Sequence, residues 1–300
     1  MNDVLPFVAA ALRISVPYAL ASLGATFSER SGVINIGIEG VMLNAALGYT
    51  LGAWASGSPW VGLAAAVLAG LLTAALHAFV TVKLRADQIT SGLGINLLAA
   101  GLTKFVLNAV FHSSSHSERV TGFPTMPGLG AIPVLGDVLG SPLVWLGVVR
   151  VLGGQRLLVG SVFGLRLRSM GEHPEAGASL GLSVARYRWA GVLLSGAFAA
   201  VAGAWLASEQ RSFTDGMTAG RGYIAIAAMI VGKWTPVGAA AACLLFGAAE
   251  ALQIALQGSA FPSEFLQMLP YLVTMLALAG FIGRAVPPKS LGTPYDPEKG

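Results

Sequence analysis

The chain has 300 residues, of which 55% are hydrophobic and 11% charged, and its mean hydropathy is +0.71. Soluble domains carry about a quarter charged residues, so the composition excludes one and defines an integral membrane protein. The net charge of +4 would suggest nucleic acid as a partner of a soluble chain, but the basic residues sit in short segments between apolar runs, so topology accounts for them and no nucleic acid is expected.

A hydrocarbon core about 30 Å thick needs about 20 mostly apolar residues per helix. Eight stretches qualify, near residues 4–27, 35–55, 60–82, 88–111, 141–160, 189–208, 222–257 and 265–283, the seventh divided at Lys233-Trp-Thr-Pro236. The expected fold is all-α, a polytopic bundle of about eight transmembrane helices with broken or half-length segments. In the first stretch, Ala19-Leu20-Ala21 imitates a signal-peptidase site. Met-Asn-Asp-Val at the start carries no Lys or Arg and Arg13 interrupts the apolar core, so the run is kept as a span.

Between the first two spans lies Ser28-Glu-Arg-Ser-Gly-Val-Ile-Asn-Ile-Gly-Ile-Glu-Gly40. Its ionisable groups are costly in lipid and its glycines loosen a helix, which points to interrupted backbone. At membrane depth such backbone is tolerated only inside protein or beside an aqueous cavity, where transporters place their pathways. Asn35 and Glu39 are four apart and on a helix would share a face. They are candidate pathway residues, with pairing to a neighbouring helix as the competing reading. In the fourth stretch Gln88 and Asn96 are eight apart, about 80° around a helix, so they form one polar stripe expected to face the bundle and join the same pathway.

Residues 112–140 are rich in Ser, Pro and Gly and read as an irregular external loop. His112 and His116 stand four apart, but no helix is expected among three serines, and the four histidines of the chain form no metal-ligand pattern. The fifth stretch is interrupted by Arg150 and by Gly153-Gly154-Gln155-Arg156, so it is expected as two short pieces. Residues 164–188 form a polar loop. Pro174 suits a first helical turn, Glu175 favours its positive end and Gly181 suits its stop, which predicts about two turns from Pro174 to Leu180, lying along the membrane. The third distinctive stretch is Gly220-Arg-Gly-Tyr-Ile-Ala-Ile-Ala-Ala-Met-Ile-Val-Gly232-Lys-Trp-Thr-Pro-Val-Gly238. About a dozen residues separate its polar ends, too few to span, so it is a half-length helix. It runs opposite in direction to the helix after the first break, which would suit an inverted repeat. Cys243 lies in an apolar run and reads as a packed core thiol.

With residues 28–32 in the cytoplasm, eleven Lys and Arg fall in inside segments and Arg119, Arg211 and Arg221 in outside ones. That places the N-terminus outside and the C-terminus inside.

Taken in order, the segments 28–40, 164–176 and 220–238 resemble the permease subunits of bacterial ABC importers in the branched-chain amino acid, ribose and simple-sugar permease family, and within it the nucleoside type. The resemblance covers most of residues 15–284 and departs from the pattern at the fifth span. It implies a single transmembrane permease domain over 1–300, with spans in 4–284, a cytoplasmic coupling loop at 164–188 and a tail at 285–300. It also implies a bacterial inner-membrane location, transport of a nucleoside or simple sugar, a cytoplasmic ABC ATPase, a second permease subunit and an extracytoplasmic substrate-binding lipoprotein. On the coupling loop it points to Gly171, Glu172, Pro174, Glu175, Ala178, Leu180 and Gly181 as ATPase contacts, with Leu180 or Leu182 buried in the partner and Glu172 and Glu175 free to pair with it. The chain has no phosphate-binding Gly-x-x-x-x-Gly-Lys-[Ser/Thr], since Gly232-Lys233 is followed by Trp234, so energy must come from a partner. No enzyme motif, cofactor site or metal site is expected. The alternatives are a self-sufficient secondary transporter or channel with Glu39 as its proton or cation site, and an intramembrane scaffold.

Overall fold

The computed structural model describes residues 4–257, 263–276, 279 and 285–296, and the regular structure among them is helical, without strands. The helices are α1 (Val4–Arg30), α2 (Ile38–Ser56), α3 (Pro59–Ala78), α4 (Gln88–Phe111), α5 (Gly136–Leu139), α6 (Pro142–Gly160), α7 (Val162–Glu172), α8 (Pro174–Ser179), α9 (Val184–Gln210), α10 (Arg221–Val231), α11 (Pro236–Ala255) and α12 (Ser263–Leu276). Among the described residues, six are long and apolar enough to cross a bilayer: α1, α3 with the π-helical turn Phe79–Lys83 that extends it, α4, α6, α9 and α11. The other expected stretches depart for physical reasons. α2 has 19 residues, as many as α6, but Glu39 and Asn44 lower its hydropathy, and α10 has 11 residues, about 16 Å of helix or half a bilayer. The last stretch is represented by α12, and part of 265–283 lies outside the described residues.

α9 is the central post, buried along most of its second half and packed on α1, α2 and α3. Small residues permit this: a Cβ on Gly203 would fall 2.2 Å from the Met42 carbonyl oxygen, so α9 and α2 meet backbone to backbone. Lipid is as apolar as leucine, and such contacts are what hold transmembrane helices together. Cys243 is buried beside Tyr18 and Phe246, as a core thiol.

Two sequence expectations need correction. The fifth span is one continuous helix, α6. A helical glycine costs only about 1 kcal/mol, and Gly154 lets α6 approach α1, since a Cβ there would lie 2.7 Å from Leu23. The Arg150 guanidinium lies over the Phe198 ring at 5.8 Å from its centroid. The polar segment 164–188 contains more helix than expected: α7 precedes the short α8, and Ser161 caps α7 by accepting the Gly164 N–H. α8 starts at Pro174 and ends before Gly181, whose φ of +77° supplies the left-handed stop.

Segments far apart in the chain meet at the two ends of the bundle. Arg30 reaches the Lys233 and Trp234 carbonyls and lies 3.8 Å from Glu172, and Arg85 pairs with Asp296 at 2.8 Å. Segments 112–123 and 211–215 meet one another through Ser117 N–H to Phe213 O and Val120 N–H to Arg211 O. His112 and His116 serve this region, His112 ending α4 at φ +52° and His116 contacting Ser115. Arg221 begins α10 and pairs with Glu250 of α11 at 3.4 Å. In the loop before α4, Asp87 accepts the Thr90 N–H and hydroxyl, which holds its carboxyl below the usual carboxylate range.

Candidate functional site

α1 stops at Arg30 and α2 starts at Ile38, and between them residues 31–37 run through the bundle as non-helical backbone after a closing turn at Ser31 and Gly32. Buried backbone polar groups must find partners, and here side chains of α1, α3 and α4 supply them, beginning with the Ser28 hydroxyl, which donates to the Val33 carbonyl at 2.8 Å. Gln88 Oε1 accepts the Ile34 N–H at 2.7 Å. His77 Nε2 meets the Ile34 carbonyl at 2.9 Å while its Nδ1 faces Ser91 Oγ at 3.0 Å. A carbonyl can only accept, so Nε2 carries the proton and Nδ1 accepts from the serine. Asn96 serves two groups, accepting the Gly40 N–H at 2.8 Å and donating to the Ile36 carbonyl at 3.0 Å. Gln88 and Asn96 therefore both face the break from α4, and Asn96 also donates to the Tyr223 hydroxyl of α10 at 2.9 Å.

Asn35 and Glu39 do not share a helix face, because Asn35 lies in the non-helical segment and only Glu39 belongs to α2. Asn35 turns to α9, donating to Ser195 Oγ at 3.1 Å, and its buried Oδ1 has no protein partner among the described residues. Glu39 turns to α10. Its two carboxylate oxygens accept the N–H groups of Gly220 at 2.7 Å and Gly222 at 2.6 Å. The first N–H groups of a helix have no partner of their own and carry its positive end, so a carboxylate there is doubly favoured. Gly222 makes room, since a Cβ would sit 2.7 Å from the Glu39 Cα.

The far end of α10 is fastened to the start of the same break. Trp234 Nε1 donates to Glu29 at 2.7 Å, and Arg30 Nε donates to the Trp234 carbonyl at 2.9 Å. Lys233 and Trp234 both adopt positive φ, at 56° and 54°, to make this turn. The two interrupted segments are thus joined at both ends of the half-helix. On its other side α10 carries Arg221, which meets Glu250, itself hydrogen-bonded by Tyr18 of α1.

The site thus includes His77, Ser195 and Glu250, which lie outside both breaks, and gives partners to Glu29, Tyr223 and Trp234, which lie within the two stretches but have no assigned role in the sequence reading. His77 and Glu250 carry a usable signal, as ionisable residues inside apolar runs. Ser195 and Tyr223 carry none.

In segment 164–188, Gly171 packs against α1, where a Cβ would fall 2.4 Å from the Arg30 carbonyl oxygen. Glu172, with a partly exposed side chain, meets Arg30 at 3.8 Å and accepts the Lys289 N–H at 3.4 Å within the chain. Pro174 is buried and Glu175 exposed in the first turn of α8, Ala178 is half-buried, and Leu180 before Gly181 is 80% exposed. Leu182 is half-buried in a cavity with Ala178, Lys83, Arg85 and Arg188.

Replacing Asn96 by Leu removes the partners of the Gly40 N–H and the Ile36 carbonyl together. At about 1–3 kcal/mol for each stranded buried group, the Asn96→Leu protein should melt several degrees lower in detergent, as read by thermal unfolding. An unchanged melting temperature would show that the break does not depend on α4.

A bundle of this kind, with a broken helix satisfied by its neighbours and a short helix projecting at one end, has the fold of an ABC transporter membrane subunit. A solved chain described as from a metal-chelate type ABC transporter in an inward-facing conformation superposes with a TM-score of 0.52, covering 91% of this chain and 85% of that one at 16% identity, which shows the fold alone. The chain belongs to the family described as branched-chain amino acid transport system / permease component, which matches residues 7–278. It is 40% identical to the guanosine ABC transporter permease protein NupQ of Bacillus subtilis, over 96% of this chain and 95% of that one. It is 39% identical to the nucleoside ABC transporter permease protein NupC of Lactococcus lactis, over 98% of each. It is accordingly a multi-pass membrane permease component, a transport subunit rather than an enzyme.

Proposed function

We propose that this chain forms the substrate pathway of an ABC importer for nucleosides in a bacterial inner membrane, with its N-terminus outside and its C-terminus in the cytoplasm. The observation that carries the substrate class is the match along nearly the whole chain to two relatives named for guanosine and nucleoside transport. The charge distribution supports the orientation, since the inside segments hold most of the Lys and Arg.

The partners in this reading are a cytoplasmic ATPase seated on α8, a second permease subunit and an extracytoplasmic binding lipoprotein. Asn96 and Tyr223 reach the protein surface together between α4 and α10, and there they line the pathway that the two permease subunits enclose. Asn35 and Gln88 are each 1% exposed, so they act from behind, holding the broken segment in place with Glu39. The secondary-transporter alternative needs a carboxylate free to exchange protons or cations, whereas both oxygens of Glu39 are held by backbone N–H groups.

The substrate class is tested in cells expressing the chain with its ATPase and binding protein. Uptake of labelled guanosine should be competed by other nucleosides and not by ribose or glucose. Competition by the sugars alone would move the assignment to a simple-sugar importer.

A further inference from the structure

The tail after the last span returns to the bundle and crosses the end that carries α8. The Ser290 N–H donates to the Gly171 carbonyl at 2.8 Å and the Ser290 hydroxyl to the Glu172 carbonyl at 3.3 Å. Two residues on, the Gly292 N–H donates to the Gly32 carbonyl at 3.2 Å. Arg188, 2% exposed at the foot of α9, then donates to the Thr293 carbonyl at 2.8 Å, and Arg85 from the α3–α4 connection pairs with Asp296 at 2.8 Å. Within eight residues the tail touches four separate segments.

Their order matters. Gly171 and Glu172 closely precede α8, while Gly32 lies at the start of the broken segment whose later residues carry the Gln88, His77 and Asn96 contacts and lead into Glu39 of α2. Gly292 sits at φ +79°, and a Cβ there would lie 2.9 Å from the Ile34 side chain. Ile34 in turn is held through its backbone by Gln88 and His77. The tail therefore forms a continuous hydrogen-bonded path from the base of α8 to the break.

We infer that residues 289–296 are a positioning strap that passes the displacement of α8 to the broken segment 31–37, so that ATP hydrolysis at the partner moves the pathway. This rests on the importer reading above. Coupling between distant sites requires contiguous elements that move together, and the strap joins the two by main-chain hydrogen bonds that do not depend on long flexible side chains. Gly292 is its critical residue, because the left-handed backbone strains other residues and the Ile34 contact leaves no room for a branched one.

The test compares the unmodified chain with one ending at Val286, each purified with its ATPase and reconstituted with the binding protein. The shortened chain is expected to keep the ATPase at full stoichiometry and to hydrolyse ATP, while guanosine uptake falls at least tenfold, so ATP consumed per substrate rises accordingly. In the full-length chain Gly292→Val should raise the same ratio several-fold. Gly292→Asn, which tolerates positive φ, should lie nearer the unmodified value. An unchanged ratio in the shortened chain or in Gly292→Val overturns the strap, and loss of the ATPase from the shortened chain overturns it too, by making the tail part of the docking surface. If the unmodified chain shows no ATP-driven uptake, it is the importer reading that fails.

Discussion

Glu39→Ala should abolish transport and lower the melting temperature of the protein more than any other single change in the site. The carboxylate satisfies the N–H groups of Gly220 and Gly222, at 2.7 and 2.6 Å, where α10 begins inside the bundle. Hydrogen bonds to a charged partner are worth about 1.5–3 kcal/mol each. Losing both strands two donors, which no water from bulk lipid can satisfy. Glu39→Gln should rescue poorly, because the amide nitrogen would face a backbone N–H, donor against donor. Uptake per unit of reconstituted protein and thermal unfolding in detergent measure the two effects. Full uptake in Glu39→Gln would mean that one acceptor suffices and that the α2–α10 junction is looser than its geometry implies.

The second large effect is expected on the opposite end of the coupling path. Leu180 is 80% exposed just beyond α8, and Ala178 stands two residues before it. Burying a leucine is worth about 2 kcal/mol, and forcing two carboxylates into the same contact costs several more. Ala178→Asp with Leu180→Asp should therefore release the ATPase, cutting co-purified partner at least tenfold, while expression and helical content of the permease stay unchanged. Both side chains lie outside the bundle core, which separates this result from misfolding. Stoichiometric ATPase on the double variant would place the docking surface elsewhere.

The sequence revealed where the backbone breaks but not what fills the gaps. Charged and glycine-rich letters at 28–40 and 220–238 are costly in lipid, so the two interruptions were readable directly, as was the two-turn helix between Pro174 and Gly181. The pairing was not. Nothing in the letters says that Glu39 reaches Gly220 across 181 positions, or that Trp234 reaches Glu29 across 205. Those contacts depend on how α10 lies against α1 and α2, which is fixed by packing of small residues such as Gly222 and Gly203. The i to i+4 rule failed for Asn35 and Glu39 because it presumes a helix that starts only at Ile38. The fifth span departs for a related reason: Gly154 and Arg150 read as interruptions in the sequence, whereas in the fold Leu23 and Phe198 stand opposite them.

The most direct test of the whole account is uptake into proteoliposomes that contain this chain with its ATPase and second permease subunit, loaded with ATP and supplied with the binding protein. Labelled guanosine should accumulate against its gradient only when hydrolysable ATP is present and the binding protein is added. Accumulation driven by a proton or sodium gradient without ATP would contradict the importer and return the carboxylate of Glu39 to the role of an ion site.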